Sequence, residues 1–202
     1  MLRENKIIAV VTIEDVKKSL DLAKCLYDSG IVNLDIRLRT KNAKKAIELI
    51  SGSGFNFNIG VGTVLTKNDL NFVKSSGIKY AFSPITDVEI LNLSKELAIN
   101  FIPGISNIHD VNKAINCECN LLKYFPAEKL GGLVFLNSII NQSIVKDLKF
   151  IAMGGINSSN AEPYLKHNNI IGIGSSWIAE KELIKNDNWI EISKRAKVML
   201  NL

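Results

Sequence analysis

Val32-Asn33-Leu34-Asp35-Ile36-Arg37-Leu38-Arg39 alternates without a break, apolar at the even positions and polar at the odd ones. Successive side chains of a strand point to opposite faces. Val32, Leu34, Ile36 and Leu38 therefore share one face and suit a helix layer packed against it. Asn33, Asp35, Arg37 and Arg39 share the other, and what that face lines depends on the segments around it.

Moving outward, similar β-branched runs recur at Ile7–Val11, Asn58–Val64, Tyr80–Ile85, Asn100–Ile105, Leu121–Phe125, Phe150–Ile156 and Ile170–Gly174. Helical patterns separate them, at Ile13–Asp28, Asn42–Ser51, Lys67–Ser76, Asp87–Ala98, Asn107–Asn116, Gly132–Asn141, Ser158–His167 and Glu180–Leu200. The second of these puts Ala43, Ala46, Ile47 and Ile50 on one face. Strands alternating with helices argue for βα units and a parallel sheet. Eight units in 202 residues predict an α/β fold of the closed (β/α)8 TIM-barrel type, with eight parallel strands inside outer helices, rather than an open doubly wound sheet. No linker or composition break divides the chain, so residues 1–202 read as a single barrel domain. Thr66, Ser106 and Ser158 stand where helix N-caps belong, and Gly30 and Gly77 where C-terminal glycines belong. The first strand starts so early that little sequence is left to cover the N-terminal end of the barrel.

Composition agrees. Hydrophobic residues make up 47% and prolines number only four, enough for a substantial core. No apolar run reaches the ~18 residues of a membrane span, and the N-terminus lacks the pattern of a signal peptide. Three cysteines, an odd number, argue against a disulfide scaffold and for a reducing, cytoplasmic setting. The net charge of +5 comes from scattered lysines, the pattern of a solvated surface; it suits an anionic small molecule and carries no nucleic-acid signature.

In such a barrel the C-terminal ends of the strands carry the chemistry. The polar face of strand 2 then lines an interior normally filled by branched apolar side chains. A carboxylate and two guanidiniums there are costly unless paired or used. An Asp35–Arg ion pair that merely holds the barrel is one reading, stronger for Arg37 than for Arg39 at the mouth. In Leu121-Leu122-Lys123-Tyr124-Phe125-Pro126-Ala127-Glu128 a lysine interrupts an apolar run. It is either a snorkelling side chain or an amine kept partly neutral as a nucleophile. Strand 3 ends in Gly60-Val61-Gly62-Thr63, a turn that also offers a hydroxyl. Strands 7 and 8 end in Met153-Gly154-Gly155 and Gly172-Ile173-Gly174-Ser175-Ser176, the usual place for a phosphate in this barrel class. Cys117-Glu118-Cys119 lacks zinc-site spacing and reads as a helix end, and His109 and His167 have no partners at metal spacing, so no metal is expected.

Seven motifs in this order resemble one family: Asp35-Ile-Arg-Leu-Arg39-Thr40, Gly60-Val-Gly-Thr63-Val-Leu65, Phe82-Ser-Pro84, Ile102-Pro-Gly-Ile-Ser106, Lys123-Tyr-Phe-Pro-Ala-Glu128, Gly154-Gly-Ile156 and Gly174-Ser-Ser176-Trp177. Together they are similar to the 2-keto-3-deoxy-6-phosphogluconate (KDPG) / 4-hydroxy-2-oxoglutarate (KHG) aldolases, class I Schiff-base enzymes. The resemblance implies a lyase that releases pyruvate and an aldehyde (glyceraldehyde 3-phosphate or glyoxylate) without a cofactor. It makes Lys123 the Schiff-base lysine, and places Asp35 where the family has a proton-shuttling glutamate. Arg39 and Thr63 match the holders of the pyruvyl carboxylate, Pro84 belongs to the matching Phe-Ser-Pro motif, and Gly154, Gly155, Gly174 and Ser176 match the phosphate pocket. It also implies a homotrimer acting on keto acids and phosphorylated aldehydes, with neither nucleic acid nor membrane as partner.

The departures are as specific. Asp35 is one methylene shorter than the family's glutamate, and Arg37 stands where relatives commonly carry a small hydroxyl residue, making it a further candidate for substrate binding. Met153 replaces a threonine, Ser175 a glycine, and Ile85 follows Pro84 where a glycine is common. Two other readings keep the barrel: a phosphosugar isomerase or epimerase, in which the lysine is only electrostatic, and a phospho-ligand-binding barrel without turnover.

Overall fold

The computed structural model describes residues 2–142 and 147–202. Its strands are β1 (Ile7–Val11), β2 (Asn33–Arg37), β3 (Asn58–Gly62), β4 (Tyr80–Phe82), β5 (Asn100–Ile102), β6 (Gly104–Ile105), β7 (Leu121–Tyr124), β8 (Lys149–Met153) and β9 (Ile170–Ser175). The sheet runs β5-β4-β3-β2-β1-β9-β8-β7-β6, and every pairing is parallel. Its two ends, β5 and β6, follow one another in the chain with only Pro103 between them. The nine segments are thus eight barrel positions, the fifth broken where proline has no N–H to give the ladder. The seam stays joined, because Ser83 N–H donates to Ile102 C=O (3.1 Å) on one side and Lys123 N–H to Pro103 C=O (2.8 Å) on the other. This is the expected TIM-barrel-like architecture, with one strand in two pieces.

The outer helices are α1 (Ser19–Asp28), α2 (Ala43–Ser51), α3 (Lys67–Ser75), α4 (Val88–Glu96), α5 (Ile108–Asn116), α6 (Gly132–Gln142), α7 (Ala161–Lys166), α8 (Lys181–Lys185) and α9 (Trp189–Leu200). Two helices expected as single elements are interrupted. The first opens as a 3-10 turn at Val16–Lys18 capped by Asp15, and the last divides at Asp187 (φ 53°), after which Asn188 caps α9. Two expected caps are also displaced. Asn107, not Ser106, accepts from Asp110 N–H (3.0 Å), and α7 begins at Ala161, past Ser158, whose hydroxyl caps nothing. At α5 the competing Asn107 side chain takes the cap, whereas Asn160 at the start of α7 makes no side-chain cap hydrogen bond. Gly30 (φ 92°) and Gly77 (φ 72°) do end helices in the left-handed conformation, and Cys117 is the C-cap of α5.

Thr66 is the strongest cap. Its hydroxyl accepts from Asp69 N–H (3.1 Å) while the Asp69 carboxylate accepts from Thr66 N–H (3.1 Å), a reciprocal capping box. Thr66→Ala is expected to cost about 1 kcal/mol and lower the melting temperature by about 2–4 °C, measured by circular dichroism.

Burial divides into two cores. Leu34 and Ile36 join the large layer between sheet and helices, as alternation predicts, whereas Ile8, Val10, Phe82, Ile102, Ile151 and Met153 fill the barrel. The residues just before β1 close the floor of the barrel. Leu2 lies against Gly172, and Asn33 accepts from the Arg3 amide (3.0 Å) and from Asn58 (2.9 Å). Among the described residues, no helix is long and apolar enough to cross a membrane.

Candidate active site

Among the described residues, Lys123 and Asp35 are the two charged side chains buried inside the barrel. Lys123 lies on β7, in register with Gly104 and Ile151, and its side chain reaches into the interior apolar cluster. Its nitrogen stands 4.8 Å from the centre of the Phe125 ring and 6.0 Å from that of Phe82. With 5% of its surface exposed, it does not snorkel. Burial lowers its pKa from the usual 10.5 to about 8; Asp35 opposes this, and Arg37 and Arg39 reinforce it. At neutral pH the drop makes the neutral amine about 300-fold more abundant than for a free lysine.

Asp35 is fully buried, and burial raises its carboxyl above the ordinary aspartate value against the pull of Lys123, Arg37 and Arg39. Neither of its oxygens has a hydrogen-bond partner. The ion pair with arginine that would have made this face purely structural is therefore not formed. Its carboxylate leans toward the mouth over Gly62, where an added Cβ would come within 1.9 Å of Oδ1. Glycine at that position is a steric requirement.

Around this pair stand the ends of the neighbouring strands. Arg39, exposed beyond β2, donates from Nε to the Thr63 hydroxyl (3.2 Å) just past β3. Thr63 has φ 60°, a left-handed conformation that is unfavourable for a β-branched residue and is typically kept where a side chain must be aimed. Pro84 ends the neighbouring strand, with its carbonyl pressed so closely on Gly104 that a Cβ there would lie 2.4 Å from its oxygen. Arg37 is half-buried at the top of β2.

Gly154 (φ 99°) and Gly155 (φ 86°) form the turn after β8, stitched to the turn after Lys123 by Ala127 N–H to Met153 C=O (2.8 Å) and Glu128 N–H to Gly154 C=O (3.1 Å). Gly155 backs onto Glu128, whose carboxylate accepts from the Tyr164 hydroxyl. Gly174, on β9, pairs with Met153 of β8, and Ser176 is exposed just past the end of β9.

Three features lay beyond sequence reading. Phe82 and Phe125 wall the lysine, a role that alternation within Phe82-Ser-Pro84 and Lys123-Tyr-Phe125 could have signalled. Met153, which directly precedes the glycine turn, points its side chain into the barrel interior against Gly174. Ser175 turns its hydroxyl away to the Ile156 carbonyl (2.7 Å). His109 is exposed, and His167 meets Asn137 (2.8 Å).

A buried amine of lowered pKa facing an unpartnered carboxylate, with an arginine–threonine pair at the mouth, is equipped for Schiff-base chemistry on a keto acid. Comparison with known proteins agrees. The family model "KDPG and KHG aldolase" matches residues 1–195. A 2-dehydro-3-deoxy-phosphogluconate aldolase of Haemophilus influenzae is 31% identical over all of this chain and 94% of its own length. The KHG/KDPG aldolase of Escherichia coli is 28% identical, over 98% of this chain and 92% of its own. A crystal structure of KDPG aldolase from Legionella pneumophila, with pyruvate captured as a covalent carbinolamine, superposes with a TM-score of 0.91 at 34% identity, covering 96% of this chain and 94% of that one. The chain belongs to the KDPG and KHG aldolase family, and is an aldolase of the carbon–carbon lyase class.

Proposed function

We infer that the chain cleaves a 4-hydroxy-2-keto acid to pyruvate and an aldehyde through a Schiff base on Lys123, and runs the reverse addition. The observation that carries this reading is the burial of Lys123 between Phe82 and Phe125, which lowers its pKa toward the neutral range and raises the share of neutral amine. Neutral Lys123 attacks the C2 ketone to give a carbinolamine, and loss of water leaves the iminium. Asp35, directly or through water, takes the C4 hydroxyl proton as the C3–C4 bond breaks. The bonding pair flows into the iminium and forms an enamine, while the C4 half leaves as the aldehyde. A proton returned to C3 regenerates an iminium, and water hydrolyses it to pyruvate and free Lys123.

Arg39 and Thr63 hold the carboxylate next to the ketone, and Pro84 shapes the wall. Gly154, Gly155, Gly174 and Ser176 receive the far end of the aldehyde half. The names of the relatives support two substrates: 2-keto-3-deoxy-6-phosphogluconate, giving glyceraldehyde 3-phosphate, and 4-hydroxy-2-oxoglutarate, giving glyoxylate. The family resemblance further supports a homotrimer of single-domain subunits acting in the cytoplasm on small molecules.

The test is incubation with pyruvate and borohydride followed by peptide mass mapping. A reduced pyruvyl adduct on the peptide carrying Lys123 is expected. No adduct, or turnover that survives loss of Lys123, would instead fit proton-transfer chemistry on a phosphosugar.

A further inference from the structure

Arg37 has no task in the scheme above. It stands on β2 two residues past Asp35, on the same interior-facing side of the strand, and is half-buried. Its register partner on β3 is Gly62, which offers no side chain to meet it. Its guanidinium makes no hydrogen bond or ion pair with any described residue, and Asp35, its nearest carboxylate on the strand, leaves both oxygens unpartnered. A guanidinium carries five N–H donors in a planar fork. Keeping such a group partly out of water without an acceptor is costly, and the fork matches a carboxylate bidentately.

The positive charge of the site is also one-sided. Arg39 N–H donates to Arg37 C=O (2.9 Å), a tight turn that keeps the two arginines side by side, and both repel the charge on Lys123. The glycine turns after β8 and β9 bring no comparable charge. There Met153 packs against Gly174, the Ser175 hydroxyl is committed to Ile156, and the Glu128 methylenes back Gly155 while its carboxylate is taken up by Tyr164. Those turns offer backbone N–H groups and the exposed Ser176 hydroxyl, with no cationic side chain among the residues that form them. The site best matches a substrate whose second negative charge lies near the reacting carbons, within reach of the arginine next to the one that holds the first.

We propose that Arg37 is a specificity-determining residue that binds a carboxylate on the aldehyde half, so that the site favours 4-hydroxy-2-keto dicarboxylates over 6-phosphorylated sugar acids. Arg39 and Thr63 hold the carboxylate beside the ketone, and Arg37 holds the one beyond the C4 hydroxyl. The aldehyde released is then itself a 2-oxo acid. This assignment rests on the Schiff-base reading, and its test is separable from that reading.

The experiment measures cleavage of 4-hydroxy-2-oxoglutarate and of 2-keto-3-deoxy-6-phosphogluconate by wild type, Arg37→Thr and Arg37→Lys, with pyruvate trapping on Lys123 in parallel. In Arg37→Thr the ratio of kcat/KM for the dicarboxylate to that for the phosphorylated acid is expected to fall by about 30-fold or more, carried mainly by KM. Arg37→Lys keeps the charge but loses the fork, and a smaller fall is expected. Both variants should still form the pyruvate adduct and melt cooperatively. An equal loss on both substrates, a larger loss on the phosphorylated one, no change, or a wild type that cleaves only the phosphorylated acid overturns the assignment. A wild type that forms no adduct overturns the Schiff-base reading and this assignment with it.

Discussion

Lys123→Met is expected to abolish pyruvate release and borohydride trapping together, with activity falling roughly 10^4- to 10^6-fold, the scale on which enzymes lose their covalent nucleophile. The same substitution is expected to make the protein more stable. The lysine pKa falls from the usual 10.5 in the unfolded chain to about 8 in the barrel. The folded state therefore binds fewer protons between those values, so the ammonium costs stability below about pH 8 and the cost fades as pH rises toward 10.5. Near pH 7 this is about 3 kcal/mol. A methionine of similar length removes the charge while keeping the contacts with Phe82 and Phe125. Thermal unfolding at pH 7 should show a melting temperature higher by several degrees, with the gain shrinking at pH 10. A lysine that merely packed the barrel would behave oppositely, losing stability on replacement with no such pH dependence. In the wild type, adduct formation should rise with pH and level off above about 8, since only the neutral amine attacks.

Asp35→Asn is expected to lower turnover by about 100- to 10,000-fold, the range for a general acid–base group, while a slower pyruvate adduct still forms. The amide keeps the shape over Gly62 and removes only the proton-carrying function and the charge. Asp35 is the group that raises the pKa of Lys123 against burial. Without it the midpoint of the adduct pH profile should move below 8. A midpoint that stays put would show that the carboxylate does not act on the amine, and an unchanged kcat would remove Asp35 from the mechanism. The shorter carboxylate leans toward the mouth over Gly62. Gly62 thus bears on whether Asp35, one methylene shorter than the family's glutamate, reaches the substrate.

The boundary between what the chain declares and what the fold arranges is visible at particular residues. The order and type of the elements, the facing of Leu34 and Ile36 outward and Asp35 inward, the capping box at Thr66 and the glycines at 30 and 77 are local properties. They depend on side-chain periods of two or about 3.6 and on backbone conformations that neighbours a few positions away dictate. The strand-end motifs, read in order, also bring Lys123, Arg39 and Thr63 to one end of the barrel.

Helix starts near Ser106, Ser158 and Ile13 were less legible, because several Asn, Asp and Ser residues compete for each cap within one turn. The break at Pro103 was written in the sequence as a proline. Its consequence, a seam held by Ser83 on one side and Lys123 on the other, needed both neighbouring strands. Only the tertiary structure decided that Lys123 is buried between two aromatic rings, that Asp35 forms no arginine pair, and that Met153 fills the barrel while Arg37 is left with a free fork. Each of these depends on desolvation and on partners from strands far apart in the chain. Alternation says which face a charge is on; whether that charge is paired, spent or waiting depends on what the closed barrel sets opposite it.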